Sequence, residues 1–521
     1  MRAFVCLLLL SLGCTTKEVR PAAPVLHAKL FVTAELKGYL GPCGCSENMR
    51  GGIERTAFQI VQARKAGAPV FFIDSGDALF GAAQIPPEAV PQQERKARAL
   101  ADAFKLMGLQ TRATGPLDDA REKAFRLSLG LPELPGSQLQ LLDLGTAKLG
   151  VVNAEEVAQL APRAAAARAQ GAKFVLALVQ QPFDVVSKAT ADGVAGVDFI
   201  LATRSKDEFS SETSKLVRGP TPLAQVQSKG RTLLAIDLTL GDPAAQFELL
   251  RGAADTEREL VALDSRIELL RAQVNEPMLA QPLKVLRKAK LEEVIARREA
   301  LAAAPPPEPA GKNVFSVRFI PIEASFPALP EAVELVTAYD RDVGQINLQW
   351  AKENGKDCPP PEKGQSGYAG NAACLECHEE AFPVWNTSKH AEAYPTLEKI
   401  GKNHHLDCIG CHVTGWQQPG GTCRIDNVTG RDHVGCESCH GPGAVHAADA
   451  SDDNIGKGNE PKSCIGCHDK ENSPHFEFDA YVAKILGPGH GQPAPEGSSP
   501  APKKPPLKKA PPKKAPPPTR K

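Results

Sequence analysis

A five-residue pattern, Cys-x-x-Cys-His, occurs four times in the last third of this 521-residue chain. Its members are Cys374, Cys377 and His378; Cys408, Cys411 and His412; Cys436, Cys439 and His440; and Cys464, Cys467 and His468. This spacing is the attachment signature of c-type haem, because two thiols one helical turn apart can bond the two vinyl groups of one porphyrin. The following histidine then binds the iron. Paired zinc sites would not need histidine at that place four times, so we predict four covalently attached haem c groups.

The second axial ligand decides whether such an iron carries electrons or binds a substrate. Methionine is a poor candidate, since all four methionines precede the motifs. Further histidines are concentrated in and just after this region: His390, His404, His405, His433, His446, His475 and His490. In a region so dense in haem sites, spare histidines favour axial ligation. We therefore expect irons with two histidine ligands, or with one histidine and an open position.

Length and charge limit the remaining possibilities. A chain of this length is expected to hold more than one domain. Residues 500–521 carry eight of the 61 basic residues and no acidic one, which leaves 53 basic against 61 acidic residues elsewhere. The body of the protein is therefore slightly acidic, and a nucleic-acid partner is not expected.

The N-terminal sequence predicts an export signal. Residues 1–14 combine Arg2 with an apolar stretch that is too short to span a membrane. They end in Ser11-Leu-Gly-Cys14, which resembles a bacterial lipobox with Ser11 in place of the usual leucine. The resemblance implies lipidation at Cys14 and attachment to the periplasmic side of the envelope. Thr15 favours the outer membrane by analogy with bacterial sorting. An ordinary secretory signal with an incidental cysteine is the alternative.

Four cysteines have no assignment from these patterns: Cys43, Cys45, Cys358 and Cys423. In an exported protein an even number of remaining cysteines favours disulfides. The sequence does not say which of them pair.

The sequence pattern of residues 27–252 predicts an α/β domain. Apolar runs of buried-strand type, such as 29–33 and 68–73, alternate with segments of helical periodicity, such as 54–66. The segments Thr33–Leu40, Gly51–Arg55 and Ile73–Gly81 resemble the opening of the 5′-nucleotidase and metallophosphoesterase family. That resemblance implies an α/β sandwich domain.

Most positions that bind metal in that family hold other residue types in this chain. Its D-x-H places hold Glu35 and Lys37, its G-D is kept at Gly76-Asp77, and its G-N-H place falls on Gly115–Asp118. Its later histidine is replaced by Gln180-Gln181, and its closing G-H-x-H falls on Thr203–Lys206. No histidine occurs between Lys29 and Asp357. A two-metal hydrolase needs several histidine and carboxylate ligands, so we expect no dinuclear metal centre and a domain without phosphohydrolase activity.

A helical segment separates the two ends of the chain. Leucine, isoleucine and valine recur every three or four residues from Leu260 to Val274, which predicts the first helix of a hairpin over 254–301. A short dimerising coiled coil is the alternative. Residues 302–369 are expected to form a linker containing one strand, Val314–Ile322, that could complete the first domain, and one helix, Glu331–Lys352.

Residues 370–486 are predicted to be a mostly helical and irregular multihaem domain. The segments Trp385–Tyr394, His412–Gly421 and Val434–His446 resemble the tetrahaem cytochrome c-554 family. That resemblance implies His390 and His446 as distal ligands, with His404, His405 and His475 as weaker candidates, and allows one open iron. Residues 487–521 are rich in lysine and proline, which predicts an extended tail.

These features favour an electron carrier over an enzyme, with redox proteins of the cell envelope as partners. A multihaem oxidoreductase acting on a small nitrogen or sulfur substrate is the first alternative. A nucleotide phosphohydrolase fused to haems is the second.

Overall fold

The computed structural model describes residues 26–42, 49–145, 147–204, 213–242, 245–250, 252–276, 281–303, 312–458, 460–469, 472–473 and 475–492. The predicted signal segment with Cys14, the loop cysteines Cys43 and Cys45, and the tail beyond residue 492 lie outside the described residues. Within the described part of the chain, no helix has both the length and the apolar character that crossing a membrane requires.

Strands and helices alternate through the first two hundred residues, as the sequence predicted. Up to residue 354 the elements are β1 (Leu26–Thr33), α1 (Ile53–Lys65), β2 (Val70–Asp74), α2 (Val90–Leu106), β3 (Leu109–Arg112), α3 (Lys123–Ser128), β4 (Leu139–Asp143), β5 (Lys148–Ala154), α4 (Leu160–Ala169), β6 (Ala172–Pro182), α5 (Phe183–Ala189), β7 (Phe199–Arg204), β8 (Lys215–Val217), β9 (Leu223–Gln225), β10 (Thr232–Leu240), β11 (Glu248–Leu249), α6 (Gly252–Val274), α7 (Gln281–Ala303), β12 (Val314–Pro321) and α8 (Pro330–Asn354).

Two six-stranded sheets form the centre of this part. The first has the order β11-β12-β10-β1-β2-β3, and the second has the order β4-β5-β6-β7-β9-β8. β1, β2 and β3 run parallel, as do β5, β6, β7 and β9. Because parallel strands bring their carboxyl ends to one edge, the loops after β1, β2, β3 and β6 meet there.

Apolar side chains from both sheets pack face to face in one core. Leu30 and Ile236 of the first sheet meet Phe174 and Leu176 of the second in this layer. Helices α1, α2 and α8 cover the outer face of the first sheet, and α4 and α5 cover that of the second. The result is an α/β sandwich with one helical layer on each side.

The segment predicted as a linker contributes directly to this sandwich. β12 pairs antiparallel with β10 from Thr232 to Thr239. Helix α8 packs against α2, where Leu100 and Phe104 lie in the same buried cluster as Tyr339 and Val343. Before β12, α6 and α7 pair through Ile267, Leu270 and Val294, so the expected helical hairpin is present.

The remainder of the chain has short helices and little apolar core. Its elements are α9 (Asn371–Leu375), α10 (Phe382–Asn386), α11 (Ala393–Lys399), α12 (Leu406–His412), α13 (Cys436–His440), α14 (Ala444–Ala448), α15 (Pro461–Cys464), α16 (Phe478–Val482), β13 (Gly487–Pro488) and β14 (Gly491–Gln492). Its main cluster of buried apolar residues is small and borrows Ala351 from α8. A core of this size is typical of a domain whose interior is completed by cofactors.

Candidate functional site

Each Cys-x-x-Cys-His motif adopts helical or turn geometry. The amide of His378 donates to the carbonyl of Cys374 at 3.0 Å, and the amide of His468 donates to that of Cys464 at 2.8 Å. The second motif ends helix α12, and the third motif forms helix α13. The two thiols of a motif therefore lie about one turn apart, as attachment to one porphyrin requires.

Three motif histidines face a second histidine from elsewhere in the chain. The ring centroids of His378 and His446 are 6.1 Å apart, those of His468 and His390 are 6.1 Å apart, and those of His440 and His490 are 6.4 Å apart. Two imidazoles bound to opposite sides of one metal ion, with metal–nitrogen bonds of about 2 Å, have centroids about 6 Å apart. The spacing of the three pairs thus fits one iron between each pair.

The hydrogen bonds of the histidine rings also favour iron binding. In five of the histidines Nδ1 makes a hydrogen bond, which leaves Nε2 for a metal. The partners are Ala393 O for His412 (2.6 Å), Gly456 O for His440 (2.8 Å), Ser451 O for His446 (3.0 Å), Ile485 O for His490 (2.7 Å) and Ser473 Oγ for His468 (3.2 Å). Such bonds fix both the tautomer and the angle of an axial ligand.

The other candidate histidines are engaged differently. His405 is buried and its Nε2 contacts the carbonyl of Asp340 at 3.0 Å, while Nε2 of His404 lies 3.4 Å from the amide of Asn403. His433 packs against Trp385, and His475 is exposed. Within the described residues, none of these four rings is paired with a motif histidine.

His490 faces a motif histidine in the structure, although the sequence analysis did not select it as a ligand. It sits in the short strand-like turn β13–β14, 22 residues after the fourth motif, and faces the third motif instead. Beyond its place among the seven spare histidines, its sequence signal is the flanking pair Gly489 and Gly491, both of which have positive φ in the structure. That signal indicates a turn but not what the turn faces.

The second motif lacks such a pairing. Among the described residues, no histidine ring stacks opposite His412, although its Nδ1 is fixed like the others. A disulfide between Cys358 and Cys423 closes the chain around this motif, which answers the pairing that the sequence left open for these two cysteines.

Contacts between thiols of different motifs give the spatial order of the sites. The interaction between the Cys374 and Cys436 thiols raises the pKa of Cys374 and lowers the pKa of Cys436. Cys411 and Cys467 make the same contact, with the same effects on their pKa values. Burial and, second, the nearby Cys464 raise the pKa of Cys439. The attachment sites therefore follow one another as first, third, fourth and second.

A buried carboxylate joins the first and third sites. Glu437, inside the third motif, accepts hydrogen bonds from the amides of Ala369 (2.7 Å), Gly370 (2.8 Å) and Gly443 (2.7 Å). Hydrogen bonds to a charged acceptor contribute more than neutral ones, about 1.5–3 kcal/mol each. Glu437 therefore fixes the start of the first motif relative to the third.

The edge of the sandwich where phosphoesterase ligands would lie contains a buried ionic cluster. The Arg112 guanidinium is fully buried and contacts Asp118 at 2.7 Å, Glu133 at 3.1 Å and Asp74 at 3.8 Å. Asp118 also accepts amide hydrogen bonds from the residues 77, 78, 79 and 115. These carboxylates are thus already engaged by an arginine and, for Asp118, by backbone donors.

The side chains at the other ligand positions of the phosphoesterase pattern are also unsuited to binding a metal ion. Lys37 pairs with Glu35 at 3.6 Å, and Gln180 donates to the carbonyl of Ser75 at 2.8 Å. Arg204 is exposed at the end of β7. Within the described residues, no group of three or more histidine, cysteine or carboxylate side chains is arranged to hold a metal ion. The side chains present do not fit the two-metal centre of that family.

Burial of this cluster makes the stability of the sandwich depend on pH. Burial raises the pKa of Asp74 to about 7 and that of Asp77 to about 6, above the ordinary value of 3.8. The folded protein therefore binds more protons than the unfolded chain between about pH 4 and 7. We expect the free energy of unfolding to decrease as pH rises through this range, by up to about 1.4 kcal/mol per pH unit for each group.

This pH dependence can be measured by urea unfolding followed by circular dichroism at pH 5, 6 and 7. The variant Asp74→Asn should show a flatter profile, whereas Asp192→Asn, at an exposed position, should keep the original slope. A stability that increases from pH 5 to 7 in the unmodified protein would contradict the assignment.

Comparison with known proteins separates the two parts of the chain. Residues 373–441 match the family described as cytochrome c554 and c-prime. Cytochrome c-554 of Nitrosomonas europaea is 34% identical over 91 residues, which cover 15% of this chain and 39% of that protein. The chain thus spans well under half the length of this curated relative.

Solved structures with similarity to the chain include a 5′-nucleotidase precursor and a sulfate thiohydrolase. A 5′-nucleotidase precursor from Thermus thermophilus is 12% identical, with a TM-score of 0.39 and coverage of 69% of this chain and 68% of its own. The sulfate thiohydrolase SoxB of the same organism is 13% identical, with a TM-score of 0.38 and 61% of each chain covered. Residues 373–441 therefore form a segment that matches the cytochrome c554 and c-prime family, and this segment follows the N-terminal α/β sandwich.

Proposed function

We propose that this protein is a c-type cytochrome that transfers electrons through four covalently attached haems. The observation that carries the proposal is the set of three histidine pairs whose ring centroids lie 6.1–6.4 Å apart. Each pair joins a motif histidine to a histidine far away in the sequence. An iron with two strong protein ligands changes its redox state without binding a substrate, which suits a carrier.

The residues of the chain have separate tasks in this function. The motif cysteines would hold the cofactors, and His378, His440 and His468 with their partners His446, His490 and His390 would bind the irons. Bound haem c supplies the reversible one-electron change. The carbonyl groups at Ala393, Gly456, Ser451 and Ile485 keep the rings oriented through Nδ1. The order of the attachment sites supports transfer from the first site through the third and fourth to the second.

The sequence of the N-terminus supports a proposal for the cellular location of this activity. We propose export to the periplasmic side of a bacterial envelope, with a lipid on Cys14 as the membrane tie and the outer membrane as its location. Redox proteins of the envelope would be the electron donor and acceptor. Covalent haem attachment and the apolar segment before Cys14 support this proposal.

The second haem site supports a second candidate function. Because no described histidine faces His412, the iron there would keep an open position. An open iron can bind a small ligand, so the protein could act as an oxidoreductase on a small nitrogen or sulfur compound. The three paired sites would then supply or remove electrons.

The sandwich domain would act as a scaffold without phosphohydrolase activity. Arg112 supplies a fixed positive charge among Asp74, Asp118 and Glu133, and Lys37 supplies one beside Glu35. These side chains already pair with the carboxylates that a metal ion would need at this edge of the sheet. The proposal for the sandwich is therefore structural support of the haem region.

Low-temperature electron paramagnetic resonance of the oxidised, full-length protein tests these functions, with haem content assayed in parallel. We expect four haems per chain, of which at least three are low-spin. A fourth low-spin haem would favour the pure carrier, and one high-spin haem would favour the open second site. Fewer than three low-spin haems would contradict the proposal.

A further inference from the structure

The first half of helix α7 exposes apolar side chains that the helical hairpin does not cover. Val285 and Leu286 are 67% and 66% exposed, which makes them the two most exposed large apolar side chains in the described part of the chain. Leu283, at the start of the helix, is 48% exposed. Contact of apolar groups with water is unfavourable, so a group of three such side chains marks an interaction surface.

The position of these residues on the helix keeps them away from α6. Helix α7 packs on α6 through Leu291 and Val294. Because each residue turns an α-helix by about 100°, Val285, Leu286 and Ala289 lie on the opposite side of α7. These three residues form the apolar arc of α7. The helix thus has one apolar side against α6 and a second one that faces outward.

Basic side chains accompany the apolar arc. Residues 281–291 include four basic residues and no acidic one. Two of them, Lys288 and Lys290, are exposed and flank the arc, one on each side. Lys290 pairs with Glu293 at 2.6 Å, and both side chains are at least half exposed. Lys288 makes no ion pair with any of the described residues.

Positive charge beside an exposed apolar side selects among possible partners. A nucleic acid would meet the charges but leave the apolar arc uncovered. A second copy of α7 would cover the arc but would bring four more cations against the first four, and the lysine-rich residues 500–521 would be repelled in the same way. A phospholipid membrane with anionic headgroups supplies both the opposite charge and an apolar interior.

The size of the apolar arc fits a helix that lies on a membrane surface. Residues 283–289 extend over about 10 Å of helix, and no helix of the described ranges is long and apolar enough to cross a membrane. The flanking lysines can keep their charged ends among the headgroups while their aliphatic stems lie beside the arc.

We propose that the apolar arc of α7, with the flanking Lys288 and Lys290, binds the surface of an anionic phospholipid membrane. This interaction goes beyond electron transfer, and it does not require a lipid on Cys14. With the lipid also present, the protein would be attached at two points. Two points fix the orientation of a protein on a membrane, which a single lipid does not.

Vesicle binding tests this proposal. The protein is loaded with haem and exported behind a cleavable signal in place of residues 1–14, so that no lipid masks binding by the polypeptide. Co-sedimentation is measured with vesicles of phosphatidylcholine and with vesicles of equal parts phosphatidylcholine and phosphatidylglycerol. We expect binding to the anionic vesicles that weakens as salt is added, and binding to the neutral vesicles that is weaker by about tenfold or more.

Replacing both large residues of the arc, Val285→Gln with Leu286→Gln, should weaken binding to the anionic vesicles about tenfold, because two apolar side chains no longer enter the membrane. The matched control is Val185→Gln with Val333→Gln, which changes two valines that are 39% and 40% exposed on α5 and α8. The control should bind like the unmodified protein. Since all four positions are exposed, both variants should keep their fold and their haems.

Removing one flanking charge tests the electrostatic part. Lys288→Gln should weaken binding to the anionic vesicles about fivefold and leave binding to the neutral vesicles unchanged. Lys188→Gln, at an exposed lysine of α5, is the control and should change neither.

Three results would overturn the inference. Equal binding to the two kinds of vesicle would remove the anionic membrane as the partner. Unchanged binding in the double variant of the arc would show that the vesicles meet another surface, such as residues 500–521. A dimer in analytical ultracentrifugation that the same variant dissociates would assign the arc to a contact between two copies. Haem content and spin state, measured on the same samples, test the electron-transfer function separately.

Discussion

Replacing His490 by leucine is expected to convert the third haem from low-spin to high-spin. His490 faces His440 at 6.4 Å, and its Nδ1 bonds to the carbonyl of Ile485 at 2.7 Å, so only Nε2 remains to bind iron. Leucine cannot replace that ligand. Because the spin state depends on both axial ligands, the change should amount to one whole haem per chain.

The measurement is the high-spin signal of the oxidised protein, scaled to haem content, before and after the substitution. His475→Leu serves as the control, since His475 is exposed and is paired with no motif histidine among the described residues. His446→Leu and His390→Leu should each give a change of the same size at the first and fourth haems. An unchanged spectrum in His490→Leu would assign the sixth ligand of the third haem to another group.

Replacing Arg112 by methionine is expected to destabilise the sandwich by about 3–5 kcal/mol. The guanidinium is fully buried and lies within 3.8 Å of Asp74, Asp118 and Glu133. Methionine fills a similar volume but leaves buried carboxylates without their cation. These carboxylates would then take up protons, so the variant should recover part of its stability when the pH falls from 7 to 5.

Urea unfolding at pH 7 and pH 5 checks both parts of this prediction. Arg297→Met is the matched control, because the Arg297–Glu259 ion pair is exposed and such pairs contribute at most about 1 kcal/mol. A loss below about 1 kcal/mol in Arg112→Met would show that Arg112 is not what stabilises this cluster. Added Mn²⁺ or Zn²⁺ should not restore the variant.

Local chemistry explains which features could be predicted from the sequence. The haem-attachment motifs depend on residues no more than four positions apart, and the α/β pattern depends on periodicity within each element. The resemblance to the cytochrome c-554 family named His390 and His446, and the structure places both opposite motif histidines. The strand Val314–Pro321 was also visible as an apolar run, but its pairing with β10 was only one possibility.

The buried ionic cluster around Arg112 could not be predicted from the sequence. From the sequence, Lys37 was recognised as a cation in the place of a metal ligand. Arg112 was not, because it ends a short strand and matches no position of the phosphoesterase pattern. Only the parallel order of β1, β2 and β3 brings Arg112 beside Asp74 and Asp118. A buried ion pair of this kind depends on distances between elements, which the sequence does not encode locally.

By itself, the sequence determined the four attachment motifs, the separation into a sandwich and a haem region, and the poor fit of the sandwich to a two-metal centre. The tertiary structure decided which histidines face each other, the order of the attachment sites and the packing of α8 against the haem region. The physical reason is that covalent attachment is a property of neighbouring residues. Axial ligation and contacts between domains instead require groups from distant parts of the chain to meet within a few ångströms.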